Sequence, residues 1–293
     1  MNKTAVALGT FDGLHRGHLK IIENTVRSAK ENGFEPIIML FDVHPQSVLT
    51  GVAPPKLIPD SRRDEILKEM GIKPVTVSFG EICPLSSDEF LDNILIKKMN
   101  AGALCCGENY RFAKNALGTP AVLSSLCESR NIMLSVIELE KVSGESISST
   151  RIRSLVQNGE IEKANEMLGR RFCYRSEVIS GKKLGRKLGI PTFNQLFENG
   201  FVEPKKGVYA SYTVLENKRY VSVTNIGVRP TVESGGRLNS ETYILDFDRN
   251  IYSMNPTVEL ISFMREEKKF PSVEALKRQI ERDINKRNLI ESE

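Results

Sequence analysis

The sequence predicts two successive folds, an α/β unit built on a parallel sheet and then an antiparallel β-barrel or sandwich that ends in a helix. Up to about residue 140, apolar runs of strand length alternate with segments of helical periodicity. This alternation is typical of a parallel sheet covered on both faces. From about residue 170, short strands follow one another with turn signals between them, which favours antiparallel pairing. We therefore expect two domains, residues 1–169 and 170–293.

The elements of the first domain follow from apolar spacing and helix caps. Apolar positions from Leu19 to Ala29 recur at helical spacing and predict a helix over 19–32. Ser61 and Ser86 stand where helix N-caps are expected. The expected strands are 4–8, 35–41, 75–79, 103–106 and 133–137, and the further helices are 61–70, 86–99, 120–130 and 160–168, with another opening at 146–153.

Period-two alternation sets the strands of the second domain. Turn signals such as Glu216-Asn217 separate them, and Ser272 can cap a last helix over 273–287 whose apolar residues share one face. The expected strands are 172–180, 207–215, 220–226, 241–247 and 257–264.

The composition is that of an ordinary soluble globular protein, with 293 residues, of which 40% are hydrophobic and 27% charged. The net charge of +4 is a weak argument for a nucleic-acid partner and suits small phosphorylated ligands. The five cysteines include no CxxC pair, so we expect them to be reduced and mostly structural, as in the cytoplasm. The sequence shows no signal peptide and no apolar run of about 18 residues, so we expect no membrane span.

The turn after the first strand, Gly9 to His18, is the first candidate site. Its glycines let the backbone approach a ligand, and free amide groups at a helix start favour an anion. The imidazoles of His15 and His18 and the guanidinium of Arg16 add further anion-binding groups, so the turn predicts a polyphosphate site. Glycines alone could instead form a plain connection. A metal site would need a third ligand, and His44 is the only other histidine, so we favour phosphate.

Two further stretches carry chemistry. The loop 107–113 has Asn109, which can hydrogen-bond in two senses, and two aromatic residues that can pack on a planar ring, although a packed loop explains it equally well. Residues 146–153 place three consecutive hydroxyls, at 148–150, and two arginines at a helix start, more than a cap needs, and these can bind phosphate oxygens together. Ligands of parallel sheets bind beyond the carboxyl ends of the strands, so one cleft could gather the first turn, His44 and the loop.

The second candidate site is the basic, glycine-rich stretch 181–194. A solvated basic turn is the more frequent origin of such a run, and the residue order of a Walker A loop is absent. Farther along, Glu241 starts a predicted strand that is otherwise poor in acids. Such a glutamate is usually solvated, but beside a substrate hydroxyl it could accept the proton.

The N-terminal motifs resemble those of the bacterial bifunctional riboflavin kinase/FAD synthetase family. GTFDGLHRGH at 9–18 is similar to the HxGH signature of nucleotidylyltransferases, and 146–153 resembles the second signature, ISSTxIR. The loop 107–113 departs from the family at Ala113, where glycine is usual. The resemblance implies a Rossmann-like nucleotidylyltransferase domain with ATP-binding residues Gly9, Phe11, Asp12, Gly13, His15, Arg16, His18, Ser148, Ser149, Thr150 and Arg153, and flavin-binding residues His44, Asn109, Tyr110 and Phe112.

The C-terminal motifs resemble the riboflavin kinase half of the same family. Residues 185–194 are similar to its signature GRxLGxPTxN, and 225–231 and 241–247 resemble two further motifs. The resemblance implies a β-barrel in which Thr192 and Asn194 help to hold Mg²⁺ on ATP phosphates, a sensible pairing because Mg²⁺ prefers hard oxygen ligands. It also implies Glu241 as catalytic base, Gly181, Gly185, Arg186, Gly189, Pro191, Thr192 and Asn194 on ATP, and Arg229 and Arg265 on the flavin.

The resemblance covers nearly the whole chain and implies two reactions. The second domain would phosphorylate riboflavin with ATP to give FMN and ADP, with Mg²⁺ as cofactor. The first would transfer AMP from another ATP to FMN, releasing pyrophosphate and FAD. That transfer needs no protein nucleophile, and His15, Arg16, His18 and Arg153 would stabilise the phosphate charge as catalytic or binding groups. No membrane or nucleic-acid partner is implied.

Other functions stay open from the sequence alone. The first domain could have lost its transfer activity, leaving a riboflavin kinase. Both domains could serve as flavin or nucleotide sensors, although binding alone does not need a base such as Glu241. An RNA-binding module would need a basic surface interleaved with aromatic residues, which the sequence does not show.

Overall fold

The computed structural model describes residues 2–180, 185, 189–228 and 237–290. The chain divides into two compact units, one of residues 1–56 with 60–149 and the other of residues 57–59 with 150–293. The predicted order of an α/β fold and then an antiparallel β fold with a last helix is confirmed. The domain boundary placed between residues 169 and 170 stays a prediction.

The first unit contains a five-stranded parallel sheet with the order β3-β2-β1-β4-β5. Its strands are β1 (Thr4–Leu8), β2 (Glu35–Phe41), β3 (Lys73–Val77), β4 (Ala101–Gly107) and β5 (Met133–Ile137), followed by the hairpin β6 (Lys141–Val142) and β7 (Glu145–Ser146). The helices are α1 (Arg16–Asn32), α2 (Pro45–Thr50), α3 (Asp60–Glu69), α4 (Phe79–Ile82), α5 (Ser87–Glu89), a π-helix (Phe90–Lys98) and α6 (Pro120–Ser129), with a short turn at Lys114–Ala116.

Local chemistry explains where these elements begin and end. β1 is buried along its whole length, which is why it reads as a continuous apolar run. α1 begins three residues before the predicted start because His15 caps it: its Nδ1 accepts a hydrogen bond from the His18 amide at 3.3 Å. The strand predicted over 75–79 includes Phe79. In the structure β3 ends at Val77, and Phe79 starts α4.

The second unit is built on a six-stranded antiparallel sheet with the order β8-β13-β10-β11-β12-β9. The predicted barrel is confirmed, because Ile179 just beyond β8 bridges Asn194 of β9 at the opposite edge. The strands are β8 (Phe172–Arg175), β9 (Thr192–Leu196), β10 (Gly207–Leu215), β11 (Lys218–Val228), β12 (Leu238–Ile244) and β13 (Thr257–Arg265), and the helices are α7 (Ser149–Asn158), α8 (Ile161–Leu168) and α9 (Val273–Leu289).

Two strand predictions are wrong in their bounds, and one strand was missed. The strand expected at 172–180 ends at Arg175. β12 begins three residues before the predicted start, so Glu241 lies within the strand rather than at its beginning. β9 was missed because it follows a run of glycines and cations with no alternation; residues 181–184 and 186–188 of that run lie outside the described residues.

Alternate residues of the barrel strands form two different faces. One face carries buried hydroxyl groups that hydrogen-bond across strands, as Thr224 does with Thr242 at 2.9 Å. The other face carries an apolar cluster that includes Val208 and Met264, and Ile284 of α9 packs against it. α9 therefore lies over this face. None of the helices in the described part of the chain has the length and apolar character that a membrane crossing requires.

The five cysteines, all in the described part of the chain, are thiols rather than disulfides, and four of them are buried. Burial raises the pKa of Cys105 to about 11 and that of Cys106 to about 12, so both thiols stay protonated at neutral pH. This agrees with the structural role expected from the sequence.

Candidate active sites

A cavity of about 780 Å³ lies in the first unit, where the parallel strands end. Gly9, Phe41, Gly107 and Ile137, at the ends of four strands, border it. This is where parallel α/β sheets bind ligands. The predicted site residues that border the cavity are Gly9, His15, His18, Asn109, Tyr110, Phe112, Ser148 and Ser149.

The turn from β1 to α1 is held in an unusual conformation. Phe11 and Leu14 have positive φ angles of 49° and 42°, as does Gly13 at 79°. Such angles strain a non-glycine residue by roughly 1–3 kcal/mol and persist only where the surroundings enforce them. Here the Phe11 ring is buried against Gly9, and Ser149 Oγ donates a hydrogen bond of 2.8 Å to the Asp12 carbonyl. The turn is thus shaped by its packing.

The two predicted histidines form one stacked pair at the N-terminus of α1. Their ring centroids are 3.6 Å apart with an interplanar angle of 16°, and Phe11 lies against His18 at 5.3 Å. Because His15 Nδ1 accepts the hydrogen bond from the His18 amide, the proton of a neutral His15 ring is on Nε2. Both imidazoles border the cavity beside the amide groups of the helix start, which favour an anion.

Arg16 lies apart from the histidines it separates in sequence. Its Nη2 is 2.7 Å from Glu140 Oε1, and Glu140, rather than Arg16, borders the cavity. The side chains are 41% and 25% exposed, and ion pairs of such exposure are worth only about 0–1 kcal/mol. Sequence reasoning missed Glu140, because nothing local to the β5 end indicates that it lies opposite α1.

The loop after β4 supplies the aromatic wall of this cavity. Tyr110 and Phe112 stack with centroids 5.6 Å apart, and Phe90 of the π-helix lies 5.3 Å from Phe112. Burial raises the pKa of the Tyr110 hydroxyl, which therefore stays protonated. Ala113 has a φ of 64° and a ψ of −178°, a conformation found almost only in glycine. The departure from the family pattern thus falls on a strained residue.

His44 has a structural contact of its own. It is the N-cap of α2, where its Nδ1 accepts a hydrogen bond of 3.1 Å from the Gln46 amide. Its Nε2 is 4.0 Å from Asp12 Oδ2. Burial lowers the pKa of His44, and at this distance the Asp12 carboxylate does not reverse that direction. His44 does not border the cavity itself, but Pro45 and Leu49 of its helix do.

Two predicted residues of the second nucleotidylyltransferase motif, Thr150 and Arg153, belong to the second unit as parts of α7. Burial lowers the pKa of Arg153, but a guanidinium remains charged at neutral pH.

A second cavity, of about 400 Å³, is bordered by barrel strands and by α9. Alternate residues of β9, β11 and β12 point into it, because side chains of a strand alternate between faces. The strand register places Glu241 opposite Asn194 on one side and Asn225 on the other. Thr192 borders the same cavity, so hydroxyl, amide and carboxylate oxygens meet there.

Glu241 is oriented by a residue of the glycine-rich motif. Thr192 Oγ1 donates a hydrogen bond of 2.6 Å to Glu241 Oε1, and Asn239 Nδ2 donates one of 3.1 Å to Asn194 Oδ1. Gly185 leaves no room for a Cβ beside the Ile190 carbonyl, and Gly189 has a φ of 76°. The predicted residues Gly181, Arg186 and Arg229 lie outside the described residues.

Arg265 borders the cavity but is held by α9. Its Nε and Nη2 contact the buried Asp283 carboxylate at 2.7–3.2 Å, and Gln279 donates to the same carboxylate at 2.9 Å. Sequence reasoning missed Asp283, and also Glu267, which accepts a hydrogen bond of 3.1 Å from Asn225 in the same cavity. Partners that distant in the chain leave no local signal.

A smaller cavity of about 310 Å³ shares Thr192 with the second one. The predicted Pro191 borders it, as do Phe247, Arg249 and Tyr252 from the segment between β12 and β13. These aromatic and polar residues were missed as site residues, since the segment resembles an ordinary connection.

The described residues contain no group of three or more His, Cys, Asp or Glu side chains that could hold a metal ion.

Two family models, both of enzymes that transfer phosphorus-containing groups, match the chain. The FAD synthetase family model matches residues 1–151, and the riboflavin kinase family model matches residues 168–290. The bifunctional riboflavin kinase/FMN adenylyltransferase of Listeria monocytogenes is 31% identical over 285 residues, which cover 95% of this chain and 89% of that protein. The protein of the same name from Bacillus subtilis is 32% identical over 287 residues, covering 96% and 90%. The chain belongs to the bifunctional riboflavin kinase/FMN adenylyltransferase family.

A solved structure also resembles the chain over its length. The crystal structure of a protein named Macrolide-efflux Protein, from Streptococcus pneumoniae, aligns with a TM-score of 0.90 and 26% identity, covering 99% of this chain and 95% of that one. This similarity supports the fold of both units.

Proposed function

We propose that the barrel cavity phosphorylates riboflavin with ATP to give FMN and ADP, and that the cavity of the first unit transfers AMP from ATP to FMN, giving FAD and pyrophosphate. These are the reactions of the family to which the chain belongs. The observation that carries the proposal is the carboxylate of Glu241, which Thr192 of the glycine-rich motif holds in the barrel cavity.

In the kinase reaction, Glu241 acts as the general base. A riboflavin hydroxyl is a weak nucleophile until its proton has an acceptor, and a carboxylate within hydrogen-bond reach supplies one. Thr192 occupies one carboxylate oxygen, which orients the other toward the cavity. The hydroxyl oxygen then attacks the γ-phosphorus of ATP, ADP leaves, and the proton passes to Glu241.

Thr192 and Asn194 fit a role in binding Mg²⁺. Both offer neutral, hard oxygen atoms on one face of β9, so ATP phosphates and water would supply the remaining ligands. The ion would neutralise phosphate charge. For the ATP base, we propose the smaller cavity beyond Thr192, where Phe247 and Tyr252 provide aromatic surface.

In the adenylyl transfer, the FMN phosphate attacks the α-phosphorus of ATP directly, and pyrophosphate leaves. His15, His18 and the amide groups at the start of α1 bind the phosphate oxygens as negative charge moves to the leaving group. Asn109 and Tyr110 bind the flavin ring at the other wall of the cavity. Ser148, Ser149, Thr150 and Arg153 are proposed as further phosphate ligands on the sequence motif.

We further propose that residues 1–169 and 170–293 are separable domains, and that the protein works in the cytoplasm, where its five cysteine thiols stay reduced. A fragment of residues 170–293 should convert riboflavin to FMN and make no FAD. A folded fragment that makes no FMN would place the kinase elsewhere.

The direct test is incubation of the protein with riboflavin, ATP and Mg²⁺, followed by chromatography of the flavins. Both FMN and FAD should form, and FAD should also form from supplied FMN. FMN without FAD would mean that the first unit is inactive. Binding of flavin and ATP with neither product would indicate a sensor.

A further inference from the structure

We propose that Glu140 is a positioning residue that competes with ATP for Arg16 during adenylyl transfer. The structure pairs Arg16 with Glu140; in this proposal ATP draws the guanidinium onto its phosphates, and Arg16 returns to Glu140 as pyrophosphate leaves. The proposal rests on adenylyl transfer in the first cavity.

The position of Arg16 in the chain suggests that it binds phosphate. Its observed contact, however, is with a carboxylate. It is the first residue of α1 and lies between two residues that border the cavity, His15 and Gly17. Its guanidinium nevertheless contacts Glu140, 124 residues farther along, at 2.7 Å. An arginine at a helix N-terminus beside free amide groups suits an anion, and a polyphosphate carries more charge than one carboxylate.

The pair is built to exchange rather than to persist. Both side chains are partly exposed, so their attraction is screened and their hydrogen bond competes with water. Glu140 itself borders the cavity, so the contact that holds Arg16 lies at the edge of the proposed phosphate site. A buried pair such as Arg265 with Asp283 would resist such an exchange, because breaking it leaves a charge without a partner.

Exchange has a definite kinetic signature. Every ATP that binds must first release Arg16 from Glu140, so the carboxylate raises the KM for ATP and weakens the hold on pyrophosphate. Glu140→Gln should therefore lower the KM for ATP in FAD formation by about two- to fivefold, the factor that corresponds to a partly exposed ion pair. Inhibition by pyrophosphate should strengthen by a similar factor, while the KM for FMN should not change.

The test measures FAD formation from FMN and ATP with wild type, Glu140→Gln, Arg16→Gln and the double variant. Glu138→Gln is the matched control, since Glu138 borders the same cavity two residues earlier. It should leave the KM for ATP unchanged. Raising the salt concentration should bring wild type and Glu140→Gln together, because salt screens a partly exposed pair.

The double variant decides between exchange and simple repulsion. If Arg16 mediates the effect, Glu140→Gln should change the KM for ATP little once Arg16→Gln is present. An equal decrease in both backgrounds would mean that Glu140 only repels the phosphates, and an increase would mean that Glu140 binds ATP itself; either result overturns the exchange. Absence of FAD formation by the wild type would instead refute the proposed adenylyl transfer.

Discussion

The two candidate active sites of this protein are built in different ways. In the first unit, the site residues come from turns at the ends of parallel strands, and several of these turns hold non-glycine residues at positive φ, such as Phe11, Leu14 and Ala113. In the barrel, they come from the middle of strands, where the antiparallel register places Glu241 beside Asn194 and Asn225. The geometry of a site formed by turns therefore depends on strained backbone. The geometry of a site formed on strands depends on the register in which the strands pair.

This difference affects how each site should respond to substitution. A strand site tolerates a change of side chain with little change of backbone, so the chemical role of one residue can be removed cleanly. In a turn site, a change of side chain also changes the local backbone conformation. Each variant there therefore needs a control substitution that keeps the conformation of the turn.

The largest expected effect is that of Glu241→Gln. The substitution keeps the shape of the side chain and removes its basicity, and loss of a general base typically slows a reaction by about 10²–10⁴-fold. FMN formation in a single turnover should fall by that factor, while riboflavin still binds and supplied FMN is still converted to FAD. Glu267→Gln, which removes a charge from the same cavity without touching Thr192, should have a much smaller effect. A Glu241→Gln rate within ~3-fold of wild type would remove Glu241 from the mechanism.

The histidine pair should give the next largest effect, confined to the other reaction. His18→Ala or His15→Ala should slow FAD formation by at least ~10-fold, because each removes a group that stabilises phosphate charge. FMN formation should be nearly unchanged. His15→Asn separates shape from chemistry, since asparagine can still cap α1 but has no imidazole. Recovery of FAD formation in His15→Asn would show that His15 acts only as a cap.

Ala113 tests whether the turn site is strained. Ala113→Gly should relieve about 1–3 kcal/mol of backbone strain. The added freedom of the unfolded chain costs roughly 0.4–1 kcal/mol, so the free energy of unfolding should rise. Denaturant unfolding measures it. The same change at Ala121, in the exposed part of α6, should instead lower it by about 1 kcal/mol. Equal losses at both positions would mean that Ala113 is not strained.

The smallest effect concerns pH and His44. Burial lowers the pKa of His44 from its ordinary value of about 6.5, so the folded protein favours the neutral ring. The contribution of His44 to the stability of α2 is therefore complete above this pH and is lost as the pH falls from it through the lower pKa of the folded protein, because protonation of Nδ1 would remove the cap of α2. The KM for FMN in adenylyl transfer should rise in acid more steeply for wild type than for His44→Asn, which keeps a capping acceptor that does not titrate. A ratio of the two KM values that is independent of pH would contradict this.

The sequence by itself determined the two folds and identified the candidate site residues that belong to local motifs. Apolar period and caps predicted the parallel sheet, and the run from Gly9 to His18 predicted a phosphate site, because a strand, a turn and a helix start are adjacent in the chain. β9 was missed because its residues follow a glycine-rich run, and the bounds of β12 were shifted because alternation indicates a strand but not where its pairing ends.

Only the tertiary structure decided which side chains meet. Thr192 and Glu241 are 49 residues apart and become hydrogen-bonded through the register of β9 with β12. The pairs of Arg16 with Glu140 and of Arg265 with Asp283 likewise join residues that are distant in the chain. Local sequence encodes a residue's own conformation, whereas its partners depend on how distant segments pack, and that packing is set by the whole core.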